Sequence, residues 1–307
     1  MDKIISTKWI DFRLHSGNSH LPDKYYMQYA YGHVEVLQDY LGISRDNVLI
    51  GVLQHGVGNF EILGKSLFPS PRKTILTRSP IYVYNEEIKK NLRNVYKSDV
   101  RVIGSPWNYL PKLEHKSKLP KKTLIVPRRT DFDVNRKADE SSLRKKFNYW
   151  RQLVGDNEAT LSLYYTDITN PIWISLAKEF SFEIACAGMP DTLPRRLQLP
   201  SRVDFYKNLK SIYLNHSQMI VEYFSSAIFY GLTCGLSVGL FHERIQNDIP
   251  KHINSGLNLI EKEFPSIIEN FADIEDVGYE LIYKYLGPTL SKENLRELLE
   301  FKKVNFV

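Results

Sequence analysis

Residues 220–241, IVEYFSSAIFYGLTCGLSVGLF, constrain the fold of this chain more than any other stretch. An apolar run leads into a small turn at residues 223–226, and a short segment of helical character follows it. Cys234-Gly235 stops that segment, and a second apolar run ends at Phe241. Short strands of this apolar character are typical of parallel sheets, which are buried on both faces. The stretch therefore predicts strand, turn, helix and strand within a parallel α/β unit.

Alternating strands and helices extend this pattern along the chain. Residues 48–53, VLIGVL, predict a strand that enters a polar, glycine-rich loop, and residues 111–122, PKLEHKSKLPKK, predict a linker because they are charged and bounded by prolines. Strands and helices alternate again from residue 123, and residues 274–285 and 292–302 predict helices in a C-terminal tail. We therefore expect two Rossmann-like α/β domains, residues 1–115 and residues 116–307, with the helical tail belonging to the second.

Composition narrows the class of partner. The chain has 307 residues and a formal net charge of +6, which favours acidic partners such as nucleotides. Its basic residues form no long block interleaved with aromatics, so we expect no nucleic-acid partner. No apolar run reaches 18 residues and the N-terminus lacks the apolar core of a signal peptide. We expect a cytoplasmic protein, free or in peripheral contact with the inner face of the membrane.

The turn in the opening stretch carries candidate binding residues. Ser225 and Ser226 lie at the start of the predicted helix, where backbone N–H groups and the helix dipole favour phosphate. Serine is also a common N-cap that needs no ligand, so both interpretations stand. Glu222 is a candidate for holding a ribose hydroxyl or for capping the strand end, and Tyr223 for stacking on a nucleobase or for core packing.

Three ordered motifs carry a resemblance to a known family. They are QHG at residues 54–56, IGSP at residues 103–106 and EYFSSAIFYGLTCGLSV at residues 222–238. With them the chain resembles GT-B-fold bacterial glycosyltransferases of surface polysaccharide assembly, and relatives of the CDP-glycerol glycerophosphotransferases. The resemblance implies two Rossmann-like domains facing a cleft, an acceptor-side N-terminal domain and a C-terminal domain that binds the nucleotide donor.

The resemblance also implies an activity, which is transfer of a sugar from a nucleotide-activated donor to a glycan or lipid-linked glycan acceptor. The nucleotide sugar would be a substrate, so no cofactor is expected. No Asp-x-Asp motif ends a predicted strand in a suitable setting, and we therefore expect no essential metal ion. Alternatives are a polyol-phosphate transferase or sugar-nucleotide epimerase of the same shape, and a non-catalytic sugar-binding subunit.

Departures from the family pattern direct attention to other residues. Met189-Pro190 stands where members often have His-Pro, and Leu236-Ser237 stands where they often have Lys-Pro. Arg128 and Arg129, after the first strand of the second domain, are candidates for the missing phosphate-binding charge. His55 is the candidate general base, because its unperturbed pKa lies near working pH and it follows a predicted strand. Asp11 and His15 are rival bases, and a histidine that only hydrogen-bonds the loop is the alternative.

Overall fold

The computed structural model describes residues 32–54, 56–57, 80–95, 99–112, 121–128, 139–168, 170–188, 203–241 and 262–303. The strands are β1 Asn47–Leu49, β2 Val52–Leu53, β3 Ile81–Val83, β4 Val100–Val102, β5 Thr123–Val126, β6 Ala159–Ser162, β7 Glu183–Ala185, β8 Gln218–Val221, β9 Ser237–Leu240 and β10 Phe301–Lys303. The helices are α1 His33–Leu41, α2 Glu86–Val95, α3 Glu140–Val154, α4 Tyr165–Ile168, α5 Pro171–Glu179, α6 Val203–Tyr213, α7 Ser226–Thr233, α8 Ile274–Val277, α9 Tyr279–Leu286 and α10 Lys292–Leu298.

The chain divides into two compact units. The five-stranded unit comprises Met1–Phe12, Leu113–Met189 and Asn208–Gly278, and the three-stranded unit comprises Arg13–Lys112, Pro190–Lys207 and Tyr279–Val307. The change of unit between residues 112 and 113 falls within the predicted linker. The predicted boundaries are wrong for the tail, because residues 279–307 belong with the N-terminal residues and not with the C-terminal domain.

The five-stranded unit is built on a parallel sheet with the order β7-β6-β5-β8-β9. Strand β5 comes first in the chain and pairs with both β6 and β8, so successive connections run to one side and then to the other. Parallel strands need crossover connections, and α3, α5, α6 and α7 lie between successive strands. The prediction of parallel α/β architecture is confirmed, and residues 220–241 form the predicted strand, turn, helix and strand.

Aromatic side chains fill the core of this unit beside α3 and α5. Phe147, Trp150 and Trp173 are at most 1% exposed, and the Phe147 ring lies 5.2 Å from that of Trp150 and 5.6 Å from that of Trp173, centroid to centroid. The i, i+3 and i+4 spacing of Leu143, Phe147 and Trp150 places one face of α3 against this core. Removing a buried aromatic of this size costs about 3–5 kcal/mol, so α3 is held firmly against the sheet.

The three-stranded unit has the parallel sheet β2-β3-β4 and a separate antiparallel pair formed by β1 and β10. Residues 48–53 were predicted as one strand, and that prediction is wrong. Asn47–Leu49 pairs with Phe301–Lys303, whereas Val52–Leu53 pairs with β3. The chain changes sheets at residues 50–51, where Ile50 N–H donates to the Glu300 carbonyl at 2.7 Å.

The C-terminal tail closes the loop that follows β4. Gly104 has φ +74°, and a Cβ there would lie 1.9 Å from the Pro288 carbonyl oxygen. Gly287 has φ +69°, and its Cβ would lie 1.6 Å from the Tyr84 carbonyl oxygen. Ser105 N–H donates to the Leu286 carbonyl at 2.7 Å. The IGSP motif therefore provides the close backbone approach that the tail requires.

Across the described helices, none has both the length and the apolar character that crossing a bilayer would require.

Candidate functional site

The five-stranded sheet has a topological switch point between β5 and β8. The connections leave these adjacent strands in opposite directions, and in open α/β sheets ligands bind beyond the carboxyl ends of the strands at such a point. The loop after β5 begins with Pro127 and Arg128, and the loop after β8 consists of residues 222–225. Two segments that the sequence nominated separately are therefore neighbours in the fold.

Glu222 joins the two loops directly. Its side chain is 8% exposed, and its Oε2 accepts a hydrogen bond of 2.7 Å from the backbone N–H of Arg128. The Lys146 ammonium, on α3, lies 3.2 Å from Oε1 and 3.1 Å from Oε2. The carboxylate thus connects the end of β8, the start of the β5 loop and helix α3. This geometry favours the strand-end capping role for Glu222.

Lys146 was missed by the sequence analysis, and the helical pattern contained a signal for it. It precedes the buried Phe147 and follows the buried Leu143 by three residues, so it flanks the face of α3 that packs on the core. A lysine in that position can bury its stem and still bring its ammonium to the edge of a sheet. Its side chain is 26% exposed.

Arg128 is half-buried at the switch point. Its backbone is fixed by Glu222, and within the described residues its guanidinium forms no ion pair. Because Lys146 and Glu222 neutralise each other, Arg128 gives this group of three side chains a net positive charge. A guanidinium so placed can form paired hydrogen bonds with a phosphate.

Ser225 is the N-cap of α7. Its Oγ accepts a long hydrogen bond of 3.4 Å from Ala227 N–H, which is the capping interaction predicted as one alternative. A hydroxyl that accepts still has its proton to donate, so capping does not exclude a phosphate contact. Tyr223 and Ser226 are half-buried in the same turn.

Several predicted site residues lie outside the described residues. These are His55, Arg129, Asp11, His15 and the Met189-Pro190 pair.

The residues on either side of His55 are described, and Tyr84 holds both. Gln54 is fully buried and its Oε1 accepts from Tyr84 N–H at 2.9 Å, while its Nε2 donates to the Gly56 carbonyl at 2.9 Å. Gly56 N–H donates to the Tyr84 hydroxyl at 3.2 Å. The two positions next to the candidate base are therefore tied to Tyr84, the residue that follows β3.

Among the described residues no group of three or more histidine, cysteine, aspartate or glutamate side chains is placed to hold a metal ion. Cys186 and Cys234 are free and buried, and burial raises the pKa of Cys234 to about 12. Such a thiol is a poor nucleophile at neutral pH.

No protein-family model and no curated protein sequence matches the chain. Solved structures whose backbone is similar to that of this chain include a Staphylococcus aureus MnaA–UDP co-structure. It matches at 12% identity and TM-score 0.41, covering 81% of this chain and 66% of that one. A UDP-GlcNAc 2-epimerase from Methanocaldococcus jannaschii matches at 12% identity and TM-score 0.36, covering 87% and 73%. Acinetobacter baumannii MurG matches at 12% identity and TM-score 0.31, covering 87% and 70%. The chain thus spans just under two thirds of the MnaA chain.

Proposed function

We propose that the chain is a metal-independent glycosyltransferase that moves a sugar from a nucleotide-activated donor to a glycan or lipid-linked glycan acceptor in surface polysaccharide biosynthesis. One observation carries the proposal. The loops after β5 and β8, which hold Arg128 and the Ser225-Ser226 turn, lie side by side where the strand order of a parallel sheet reverses. That position is where open α/β sheets bind nucleotides.

The switch-point residues suit the leaving group of such a reaction. Negative charge develops on the phosphate as the glycosidic bond to the donor breaks, and preorganised cations and N–H groups lower the energy of that state. The Arg128 guanidinium supplies charge, and the N-terminus of α7 with the Ser225 and Ser226 hydroxyls supplies dipole and donors. Arg129 adds a second guanidinium by its place in the sequence.

The acceptor hydroxyl requires a base, and His55 is the residue that we assign to it. A general base acts only when it is held within hydrogen-bond distance of the proton that it removes. The bonds from Tyr84 to Gln54 and Gly56 restrain the chain on both sides of this residue. The acceptor would then be a glycan hydroxyl bound by the N-terminal residues.

Thermal denaturation with UDP, GDP, CMP and CDP tests the proposal first. A nucleotide that binds only the folded protein stabilises it by about 2.7 kcal/mol at a concentration one hundred times its Kd. We expect one of the four to raise the melting temperature of the wild type, and the Arg128→Ala/Arg129→Ala double variant to lose most of that increase. If none of the four stabilises the wild type, the donor-binding assignment is wrong.

Product analysis then separates the reaction classes. A transferase needs an acceptor, shows a higher donor KM and weaker product inhibition in the double arginine variant, and keeps its rate in EDTA. An epimerase would convert or hydrolyse the sugar nucleotide without any acceptor, and a polyol-phosphate transferase would release CMP and leave phosphate in its product. A sugar-binding subunit would turn over none of these substrates.

A further inference from the structure

We infer that Lys146 is a positioning residue, which holds the Glu222 carboxylate so that this carboxylate fixes the backbone of Arg128 at the switch point. The inference rests on the proposed function, because it gives the pair a role in presenting Arg128 to a bound nucleotide. Lys146 itself lies on α3, outside both loops of the candidate site.

The first step of the argument is the burial of Glu222. A carboxylate that is 8% exposed has lost most of its water, and such a charge needs a partner of opposite sign. Lys146 provides that partner with contacts of 3.1 and 3.2 Å to both carboxylate oxygens. The pair therefore orients the carboxylate as well as neutralising it.

The second step is what the oriented carboxylate does. Its Oε2 accepts the Arg128 N–H at 2.7 Å, a distance typical of a charge-assisted bond. Arg128 is the last described residue before the segment 129–138. Helix α3 begins after that segment, with Asp139 as its N-cap. Through Lys146, Glu222 therefore links the start of the loop after β5 to the body of helix α3.

The third step is the charge that remains. The Lys146–Glu222 pair is neutral, so a nucleotide phosphate at this edge would meet its positive charge at Arg128. Because the arginine side chain starts from a backbone that Glu222 fixes, its guanidinium samples fewer positions. Loss of Lys146 should then weaken phosphate binding without removing any group that touches the phosphate.

Hydrogen exchange at the Arg128 amide tests the inference without any ligand. Exchange is measured by mass spectrometry of peptides spanning residues 123–128. In Lys146→Gln we expect the Arg128 amide to exchange about ten times faster, because its bond to Glu222 is no longer held. Lys146→Arg should keep wild-type exchange. Lys145→Gln, a change at the exposed neighbour on the same helix, is the matched control and should also leave exchange unchanged.

Nucleotide affinity provides the second readout, measured by titration calorimetry with UDP, GDP, CMP and CDP. We expect Lys146→Gln to weaken the nucleotide that binds by about tenfold, and Lys146→Arg to restore it. In an Arg128→Ala background, Lys146→Gln should cause no further loss, because Lys146 acts through Arg128. Equal losses in both backgrounds would mean that Lys146 contacts the nucleotide itself, which would overturn the inference.

The two proposals fail in different ways. If the wild type binds none of the four nucleotides, the proposed function is wrong, and exchange at Arg128 still decides whether Lys146 positions it. Should Lys146→Gln not fold, the Lys146→Gln/Glu222→Gln double variant leaves no buried unpaired charge. Its glutamine oxygen at position 222 accepts more weakly than a carboxylate, so protection at Arg128 should still fall. Wild-type protection in whichever of these variants folds would overturn the positioning role.

Discussion

Two loops of this protein each carry a capping serine after a parallel strand, but they differ in burial. The loop after β4 and the loop after β8 each follow a parallel strand, and each contains a serine that caps the next helical turn. Ser105 accepts from Trp107 N–H at 3.3 Å, and Ser225 accepts from Ala227 N–H at 3.4 Å. Ser105 is completely buried beneath the tail, whereas Ser225 is half-buried in the loop that begins with Glu222, the residue bonded to the Arg128 backbone.

The difference shows that a loop with a capping serine at a strand end does not by itself identify a ligand site. In the three-stranded unit, residues 286–288 occupy the space over the loop, and they fit there because Gly104 has no side chain. In the five-stranded unit, the corresponding space borders a switch point and an arginine without an ion pair among the described residues. The two loops therefore differ in what covers the end of the strand that precedes them.

The largest effect that we expect concerns the loop after β2, which carries His55. His55→Asn keeps a polar side chain of similar size but removes the proton acceptor. If the histidine takes the acceptor proton, kcat should fall by about 10²–10⁴, the usual contribution of a positioned base. Donor binding should barely change, since the proposed donor contacts lie in the five-stranded unit.

Steady-state kinetics at several pH values checks this prediction, with the melting temperature as control for folding. The acidic limb of the kcat profile should disappear, because that limb would report deprotonation of the imidazole. Near-normal kcat in the variant would remove His55 from catalysis. A loss of donor affinity as large as the loss of rate would make it a binding residue.

The next effect tests the covered loop. Gly104→Ala places a methyl group against the Pro288 carbonyl oxygen, at a backbone φ that L residues rarely adopt, and should lower the free energy of unfolding by about 3–5 kcal/mol. Gly42→Ala is the matched control in the same unit, with a similar φ of +68° and nothing within 4 Å of the added methyl. It should cost only about 1 kcal/mol.

Urea unfolding of the two alanine variants gives the comparison. If they lose the same stability, the tail contact contributes nothing and backbone conformation alone accounts for Gly104. The conformation of this loop would then serve another purpose, such as binding a ligand.

Sequence reasoning predicted elements well where the signal was local. The strand at residues 123–126, where the second α/β series was predicted to start, agrees with the structure. Residues 48–53 were misassigned because β10, which pairs with the first part of this segment, lies more than 250 residues away in the chain. The predicted helix at residues 274–285 is divided at Gly278, and residues 301–303 form a strand in place of the end of a helix.

The candidate site shows the same limit. Arg128, Glu222 and Ser225 each follow or cap an element, so position in the chain nominated them. Their proximity depends on strand order, which periodicity does not contain. The role of Lys146 depends on the position of α3 beside the end of β8, which the sequence does not contain.

We expect a smaller effect, on the pH dependence of stability, at the opposite end of the five-stranded sheet, where the strands begin. His216 precedes β8 and is 4% exposed; its Nδ1–H donates to the Ile212 carbonyl at 2.6 Å, and its Nε2 has no hydrogen-bond partner among the described residues. Burial lowers the pKa of His216 from its ordinary 6.5 to about 4, against the opposing effect of that hydrogen bond. Lys122 lowers it further and Glu183 raises it.

Because the folded pKa lies below the unfolded one, the unfolded chain binds the proton more readily. The contribution of His216 to stability is complete above pH 6.5 and declines as the pH falls towards 4, by about 3 kcal/mol in all. His216→Asn can keep the bond to Ile212 and should flatten this part of the curve of unfolding free energy against pH. An unchanged pH dependence in the variant would show that other groups cause the loss.

The smallest effect brings the two serine loops into one experiment. Ser225→Ala/Ser226→Ala should weaken binding of the stabilising nucleotide by about 1.5–3 kcal/mol, the value of a hydrogen bond to a charged group, in addition to a capping loss of about 1 kcal/mol in stability. Ser105→Ala removes a cap of the same kind from the covered loop, so it should cost a similar amount of stability and leave nucleotide affinity unchanged. Calorimetric titration and thermal denaturation of both variants separate the two quantities. Unchanged affinity in the double variant would reduce Ser225 and Ser226 to helix caps, and the loop after β8 would then differ from the loop after β4 in exposure but not in function.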